Sequence, residues 1–233
     1  MPHFQKFKMT ETVHLLPHYE RKSTITSYSN SSINTALSKY NYNLAPEREN
    51  QVSYVREQLL KIHHVKRKDL VVMCDWIITQ PKDLDPNLSR EFFQHAYDFC
   101  VERYGTMSGM GEDCIISCYV HLDETTPHMH LAFLPVLKYM KTEKITKNGI
   151  SIEEKTDAQK FCAKEIATRV ELKLFQQDLQ KYMDKQGLKC SILNGNTHYD
   201  SNGRALSVKE LKMEKHLDIE RSLQWETEWD IEY

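Results

Sequence analysis

The chain has 233 residues, 40% of them hydrophobic, enough to bury a sizeable core; one large domain, or one domain with an appendage, is expected, and a disordered tail is excluded. A net charge of −2 points by itself to neither a nucleic-acid binder nor an enzyme for acidic substrates. The balance is uneven, because the stretch from Glu214 to Tyr233 carries −5 and leaves a body of about +3.

The N-terminus, "MPHFQKFKMTETVHLL", lacks the uninterrupted apolar region of a signal peptide, and no stretch approaches the roughly 20 apolar residues of a membrane span. A soluble, cytoplasmic protein is therefore expected. Residues 1–45 combine a short strand-like start with a polar stretch, "HYERKSTITSYSNSSINTALSKYNYNL", too poor in apolar residues to build a core and read as a long loop. From about Pro46 to His64, Val52, Val55, Leu59 and Ile62 recur at helical spacing and lead into the basic cluster Lys61, Lys66, Arg67, Lys68. "DLVVMCDWIIT" reads as a buried strand over Leu70 to Thr79, closed by Pro81. Leu88, Phe92, Ala96, Phe99 and Cys100 make the apolar face of a helix that Gly105 is placed to terminate, with "GTMSGMGED" as the loop beyond.

"CIISCYVH" and "HMHLAFLPVL" read as two strands joined by a turn from Asp123 to Pro127, most simply an antiparallel hairpin. A polar segment bearing Lys138, Lys141, Lys144 and Lys147 leads away from it. Thr168 and Glu171 fit a capping box for a helix through Val170, Leu174, Phe175, Leu179 and Tyr182 up to Gly187. A strand near Ile192, a turn from Asn194 to Gly203 and a charged helix from Ser207 complete the reading. The irregular mixture of elements favours an α+β fold with a largely antiparallel sheet, flanked by helices, over a doubly wound parallel one. The six cysteines form no CxxC pair and are expected as reduced thiols, with Cys114 and Cys118 as buried hydrophobes on one strand face.

The segment "HLDETTPHMH", from His121 to His130, holds three of the eleven histidines. Alternate strand residues share a face, so His128 and His130 project together, and His121 ends the facing strand. An HxH pair alone is commonplace and structural. Three imidazoles converging across a hairpin, with no nearby cysteine to close the set, match instead an open metal site of the catalytic kind. Asp123 is then a candidate to cap the turn or orient a ligand histidine, and Glu124 the nearest candidate base.

"HLDETTPHMHLAFLPV" resembles the HxDExTPHxH signature of the MobV-type plasmid mobilisation relaxases, the Mob/Pre family of the histidine-hairpin (HUH) superfamily. "HYER", His18 to Arg21, resembles that family's HxxR motif, and "SNSSIN", "NYNL", "RKDLVVMCDWIIT" and "CAKEIATRVELKLFQQDLQKYM" resemble its other segments in order, over roughly Phe4 to Met213. The resemblance implies an enzyme that nicks one DNA strand at a plasmid transfer origin by metal-dependent transesterification, keeping the 5′ end on a side chain, for conjugative mobilisation. It implies His121, His128 and His130 as ligands of a divalent ion, manganese in preference to magnesium because the donor set is nitrogen-rich. His18 becomes the nucleophile, preferred to its neighbour Tyr19 because neutral imidazole is nucleophilic near pH 7 while a tyrosine with a pKa of about 10 needs strong activation.

On the same reading Glu124 takes or directs the His18 proton, and Arg21 clamps a phosphate, a surface ion pair with a glutamate being its plainer alternative. The loop from Lys22 to Leu44 would lie along DNA, with Asn30, Asn34 and Asn41 contacting phosphates and bases and Tyr28, Tyr40 or Tyr42 stacking on unpaired bases. Arg67, Lys68 and the lysines near Lys141 would track the backbone. The partner expected is transfer-origin DNA, single-stranded or hairpin, with a homodimer through a C-terminal region outside this chain as a further expectation. Domains are expected at 1–213, the relaxase part, and 214–233, an acidic helical tail starting such a region. His63, His64, His95, His198 and His216 are assigned structural or surface roles. A rolling-circle replication initiator, a cupin-like metalloenzyme and a noncatalytic DNA-binding accessory factor are the competing readings.

Overall fold

In the computed structural model β1 (His3–Lys8) runs directly into a helix, α1 (Met9–Tyr19), where a polar loop was expected from His18 on. The Lys8 N–H donates to Glu11 Oε2 at 2.8 Å, closing the helix start, and Thr12, Leu16 and Tyr19 recur at i, i+4 and i+7 as its buried face. This stripe is short and carries Pro17 near its end, which hides it in the sequence. The described residues are 2–22, 30, 33–147, 150–192 and 213, with backbone alone at 145–147 and 150–152. The chain divides into two compact units, 1–193 and 194–233. The second, Met213 apart, lies outside the described residues, as do the expected Asn194–Gly203 turn, the helix from Ser207, Tyr28, His198 and His216.

Further along come β2 (Tyr42–Asn43), α2 (Gln51–Lys61), β3 (Val71–Thr79), α3 (Ser89–Ser108), β4 (Ile115–His121) and β5 (His128–Phe133). Then follow β6 (Val136–Lys147), β7 (Ile150–Phe161), α4 (Ala163–Ile166) and α5 (Arg169–Lys185). The five-stranded sheet has the order β1-β3-β5-β4-β2 and every pairing is antiparallel, the α+β architecture expected. Its two faces are covered by different helices. Cys74, Trp76 and Ile78 of β3, Cys118 and Val120 of β4, and Met129, Leu131 and Phe133 of β5 join α3 and α5 in the larger core. Met73, Ile116 and Ala132 meet Leu16 and Tyr19 of α1 and Val55 of α2 in the smaller one. Alternate residues of β3 and β5 therefore face different helices, as they do in β4 beyond its irregularity between Ile115 and Ser117, and the histidines of β4 and β5 fall on the α1 side.

Trp76 stacks on Phe175 of α5 at 3.7 Å between centroids and donates its indole N–H to Tyr104 Oη at 2.6 Å. Thr168 Oγ1 accepts from the Glu171 N–H at 3.1 Å as one half of the expected capping box. The Glu171 carboxylate turns instead to Arg103 Nη2 at 3.0 Å, and Arg103 Nη1 reaches Asp178 at 3.0 Å, tying α3 to α5. All six cysteines are free thiols, and Cys114 and Cys118 are buried in the same core, although Cys114 ends a 3-10 turn just ahead of β4.

Four expectations are corrected. The helix α3 does not stop at Gly105 but runs to Ser108 and is capped by Gly109 at φ 67°, so half of the expected loop is helix. Gly105 is present for another reason: a Cβ there would meet the Gly111 carbonyl oxygen at 2.7 Å. Gly105→Ala should therefore cost about 1–3 kcal/mol, since backbone cannot yield as a side chain would, and a lowered midpoint in urea is the measurement. Second, "HMHLAFLPVL" is not one strand; it breaks at Leu134–Pro135. Third, the lysine-bearing segment forms β6 of a two-stranded ribbon with β7, in which Lys138 pairs with Asp157 at 2.9 Å. Fourth, the chain at Ile192 is irregular; its N–H is held by Gln180 Oε1 at 2.7 Å rather than by a strand partner.

Candidate active site

The hairpin register pairs His121, the last residue of β4, with His128, the first of β5, and places His130 opposite Tyr119 on the same face. The three imidazoles lie with centroids 5.1 to 5.3 Å apart, and one nitrogen of each falls within 4.8 Å of the others. Their outward nitrogens are occupied. His128 Nδ1 meets the Thr126 carbonyl at 2.9 Å, His130 Nδ1 meets Asp75 Oδ2 at 3.0 Å, and His121 Nε2 meets the Tyr19 carbonyl at 2.8 Å. Each of these partners is an acceptor, so the outward nitrogen carries the proton and the inward one carries the lone pair. This is the outer-shell arrangement that orients ligand histidines.

Charge points the same way. With neutral histidines, the ionisable contacts of the cluster among the described residues are Asp75, Asp123 and Glu124 against the cation Arg21. That buried set is short of about two positive charges, which a divalent ion supplies. Three imidazole lone pairs with oxygen donors beside them fit such an ion, which would take the place of Arg21 Nη2 at the His121 Nδ1 lone pair; His121, Asp123 and Glu124 form a second, overlapping group of ligand-capable atoms.

Arg21 is the hub. Its side chain is only 4% exposed. Nε donates to Asp123 Oδ2 at 3.0 Å, the two N–H groups of Nη2 are shared among Asp123 Oδ1 at 3.1 Å, Glu124 Oε1 at 2.7 Å and His121 Nδ1 at 3.1 Å, and Nη1 faces His18 Nε2 at 3.3 Å. A guanidinium has no acceptor, so the facing nitrogens of His18 and His121 are unprotonated. The backbone pays for this placement: Arg21 stands at φ 54°, the left-handed position after a helix that glycine usually takes, closed by Arg21 N–H to His18 O and Lys22 N–H to Pro17 O.

His18 and Tyr19 occupy the last turn of α1 and are not equivalent. Burial, then the nearby Arg21 charge, lowers the His18 pKa, so the ring is neutral at pH 7. The Tyr19 ring is 2% exposed, and burial followed by the Asp75 carboxylate pushes its hydroxyl far above the ordinary value. Burial would raise Asp123, but hydrogen bonds from Arg21 and Ser38 hold it well below the usual carboxylate range; Ser38 Oγ donates at 2.6 Å.

Burial, then His130, lowers both His121 and His128. A base whose pKa is depressed on folding binds protons more readily in the unfolded chain, so its contribution is intact above the unfolded value of about 6.5 and is lost as pH falls toward the folded one. Thermal melts of the metal-free protein should accordingly show a midpoint that drops steadily from pH 7 to pH 4; a flat or rising profile would contradict the buried neutral cluster.

The other sequence candidates divide. Asn30 Nδ2 donates to Glu124 Oε2 at 2.8 Å, the Asn34 N–H to the Asp123 carbonyl at 2.8 Å, and Asn41 Oδ1 accepts from the Leu122 N–H at 2.8 Å. These three asparagines thus brace the hairpin turn. Tyr42 lies in β2 against the core with Arg90 over its ring, whereas Tyr40 is 56% exposed. Lys22 pairs with Glu20 at 3.1 Å. Arg67, beside Asp69 at 3.4 Å, and Lys68 precede the far end of β3, and since Ile77 is the partner of His130 they lie roughly 20 Å or more from the histidines. His64 and His95 make local contacts with the Ile62 carbonyl and with Glu91 and Asp98, and His63 is a backbone bridge to Lys160. Asp75 escaped notice, although a lone acid inside "VVMCDWIIT" is a signal, because a buried carboxylate must have partners.

An antiparallel sheet presenting three histidines from a central hairpin, with a helix-borne histidine tied to them through one arginine, defines a histidine-hairpin metal centre of the DNA-relaxase class. The family model described as plasmid recombination enzyme, Mob_Pre, matches residues 1–210, and the chain belongs to that family. It is 33% identical over 225 residues to a plasmid recombination enzyme of Streptococcus agalactiae, covering 90% of this chain and 40% of the relative. It is 30% identical over 216 residues to one of Lactiplantibacillus plantarum, covering 89% and 51%. The chain thus spans about half or less of the length of these relatives. The fold is that of the MobM relaxase domain (MOBV), solved Mn-bound with plasmid pMV158 oriT DNA at pH 6.8, with a TM-score of 0.66, 29% identity, and coverage of 91% of this chain and 97% of that one. The same domain was also solved Mn-bound at pH 4.6, with a TM-score of 0.64, 28% identity, and coverage of 91% and 98%. Family membership removes the cupin-like and rolling-circle readings. Among the described residues no helix is long and apolar enough to cross a membrane.

Proposed function

We propose that this chain nicks one DNA strand at the transfer origin of a plasmid or mobile element, with His18 as nucleophile. The observation that carries the reading is the continuous contact from His18 Nε2 through Arg21 to His121 Nδ1, which sets a neutral imidazole lone pair beside the metal-ligand cluster. His18 Nε2 attacks the scissile phosphorus, the bond to the 3′ oxygen breaks, and the 5′ phosphate stays on the ring. The ring sheds its Nδ1 proton and the departing 3′ oxygen gains one, so the step balances. Nε2 already carries its lone pair, so no base is needed to unmask it, and the Arg21 Nη1 contact that holds it yields to the incoming phosphate. Glu124, expected as that base, contacts Arg21 and Asn30, and on this reading holds the guanidinium against His18 and the incoming phosphate.

His121, His128 and His130 would hold the ion, manganese suiting nitrogen-rich ligation better than magnesium. When bound, it polarises the phosphate oxygens and stabilises the charge of the displacement. Asp123 acts from behind, through Arg21. Of the described candidates Tyr40 is the exposed one, open to stacking on unpaired bases. The partner is transfer-origin DNA in the cytoplasm, and residues 1–213 are the nicking domain with 214–233 as an acidic tail.

The test is incubation with an origin oligonucleotide and manganese, followed by mass spectrometry of the DNA-linked peptide under neutral conditions that spare an acid-labile phosphorus–nitrogen bond. A nucleotide on His18 is expected. Linkage at another residue, or none with a cognate sequence, would defeat the assignment.

A further inference from the structure

Tyr19 makes three contacts that the reaction does not call for, and all lead to metal-ligand histidines. Its carbonyl accepts from His121 Nε2 at 2.8 Å. Its ring stacks on His130 at 4.1 Å between centroids and 21° between planes. Its hydroxyl donates at 2.9 Å to Asp75 Oδ2, the same oxygen that receives His130 Nδ1 at 3.0 Å. Asp75 is wholly buried, and its other oxygen has no partner among the described residues. The carboxylate is thus held through Oδ2, by Tyr19 and His130 alone among those contacts.

We propose that Tyr19 is a positioning residue of the metal centre, fixing His121 through its carbonyl and His130 through its ring and the Asp75 carboxylate. The inference rests on the metal reading above. Without the hydroxyl, nothing described stops the buried carboxylate from turning about its side-chain bond, and the His130 ring loses its fixed orientation and tautomer. Because Tyr19 sits between His18 and Arg21, the same helical turn that steadies the ligands also sets the nucleophile toward them.

Calorimetric titration of Mn2+ into the metal-free chain tests this in the wild type, Tyr19→Phe, Asp75→Asn, the double variant and His128→Ala. Tyr19→Phe should weaken Mn2+ binding about 10-fold, within the usual range for outer-shell partners, beside the fall in the metal-free melting midpoint that losing one hydrogen bond to a buried carboxylate brings. If Tyr19 acts through Asp75, adding Tyr19→Phe to Asp75→Asn should weaken binding little further. A role confined to packing would lower the melting midpoint and leave Mn2+ affinity unchanged. Wild-type affinity in Tyr19→Phe, or losses that multiply in the double variant, would overturn the proposal. Should His128→Ala also bind as the wild type does, the metal reading falls with it; loss in His128→Ala beside wild-type affinity in Tyr19→Phe overturns only the Tyr19 assignment.

Discussion

His18→Ala should abolish covalent capture of the nicked strand, lowering nicking by roughly four orders of magnitude or more, the scale seen when a nucleophile that acts as part of a unit is removed. The neighbouring Tyr19 cannot take over. Its hydroxyl is buried, donates to Asp75, and would have to lose a proton next to an existing carboxylate. Metal affinity should change little, since the hydrogen-bonded link described from His18 to the ligand set runs through Arg21 and not directly to a ligand histidine. Band-shift and calorimetric measurements beside the nicking assay make the case specific: DNA and Mn2+ binding retained, adduct lost. Adduct at normal yield in this variant would transfer the nucleophile elsewhere and remove the reason for the His18–Arg21 contact.

His128→Ala should weaken Mn2+ binding by more than about 100-fold, exceeding the loss from an outer-shell partner, and nicking should fall with it. The fold should survive, because His128 opens β5 at the rim of the sheet and its ring contacts lie within the hairpin itself, the Thr126 carbonyl at 2.9 Å and Glu124 Oε1 at 3.9 Å. Removing a buried base with a depressed pKa also removes a group whose protonation opposes folding, so the metal-free variant should lose less stability than the wild type between pH 6.5 and pH 4. Calorimetry and thermal melts across that range measure both effects. Unchanged Mn2+ affinity would show that the ion, if any, is held by the His121, Asp123 and Glu124 group instead.

What the sequence carried well was whatever depends on local spacing. The hairpin and its three histidines follow from a two-residue repeat and a short turn, and α2, β3 and α5 follow from their apolar periods. It carried poorly whatever depends on a partner distant in the chain. Residues 136–147 look like polar linker because a two-stranded ribbon buries little, and its pairing appears only with β7 in place. The bracing of the hairpin turn by Asn30, Asn34 and Asn41 is hidden in the sequence, because a polar residue in a loop has no visible partner until residues 122–124 arrive.

Arg21 shows the same division most sharply. By itself the sequence determined the antiparallel fold class, the three metal-ligand candidates and, through resemblance, the family and the rivalry between His18 and Tyr19. Tertiary structure alone decided that Tyr19 faces inward and that Arg21, a hundred residues before His121, joins it to His18. The reason is physical: side-chain alternation is written into neighbouring residues, whereas burial, and with it the protonation and reach of each group, is set by which helix the sheet packs against.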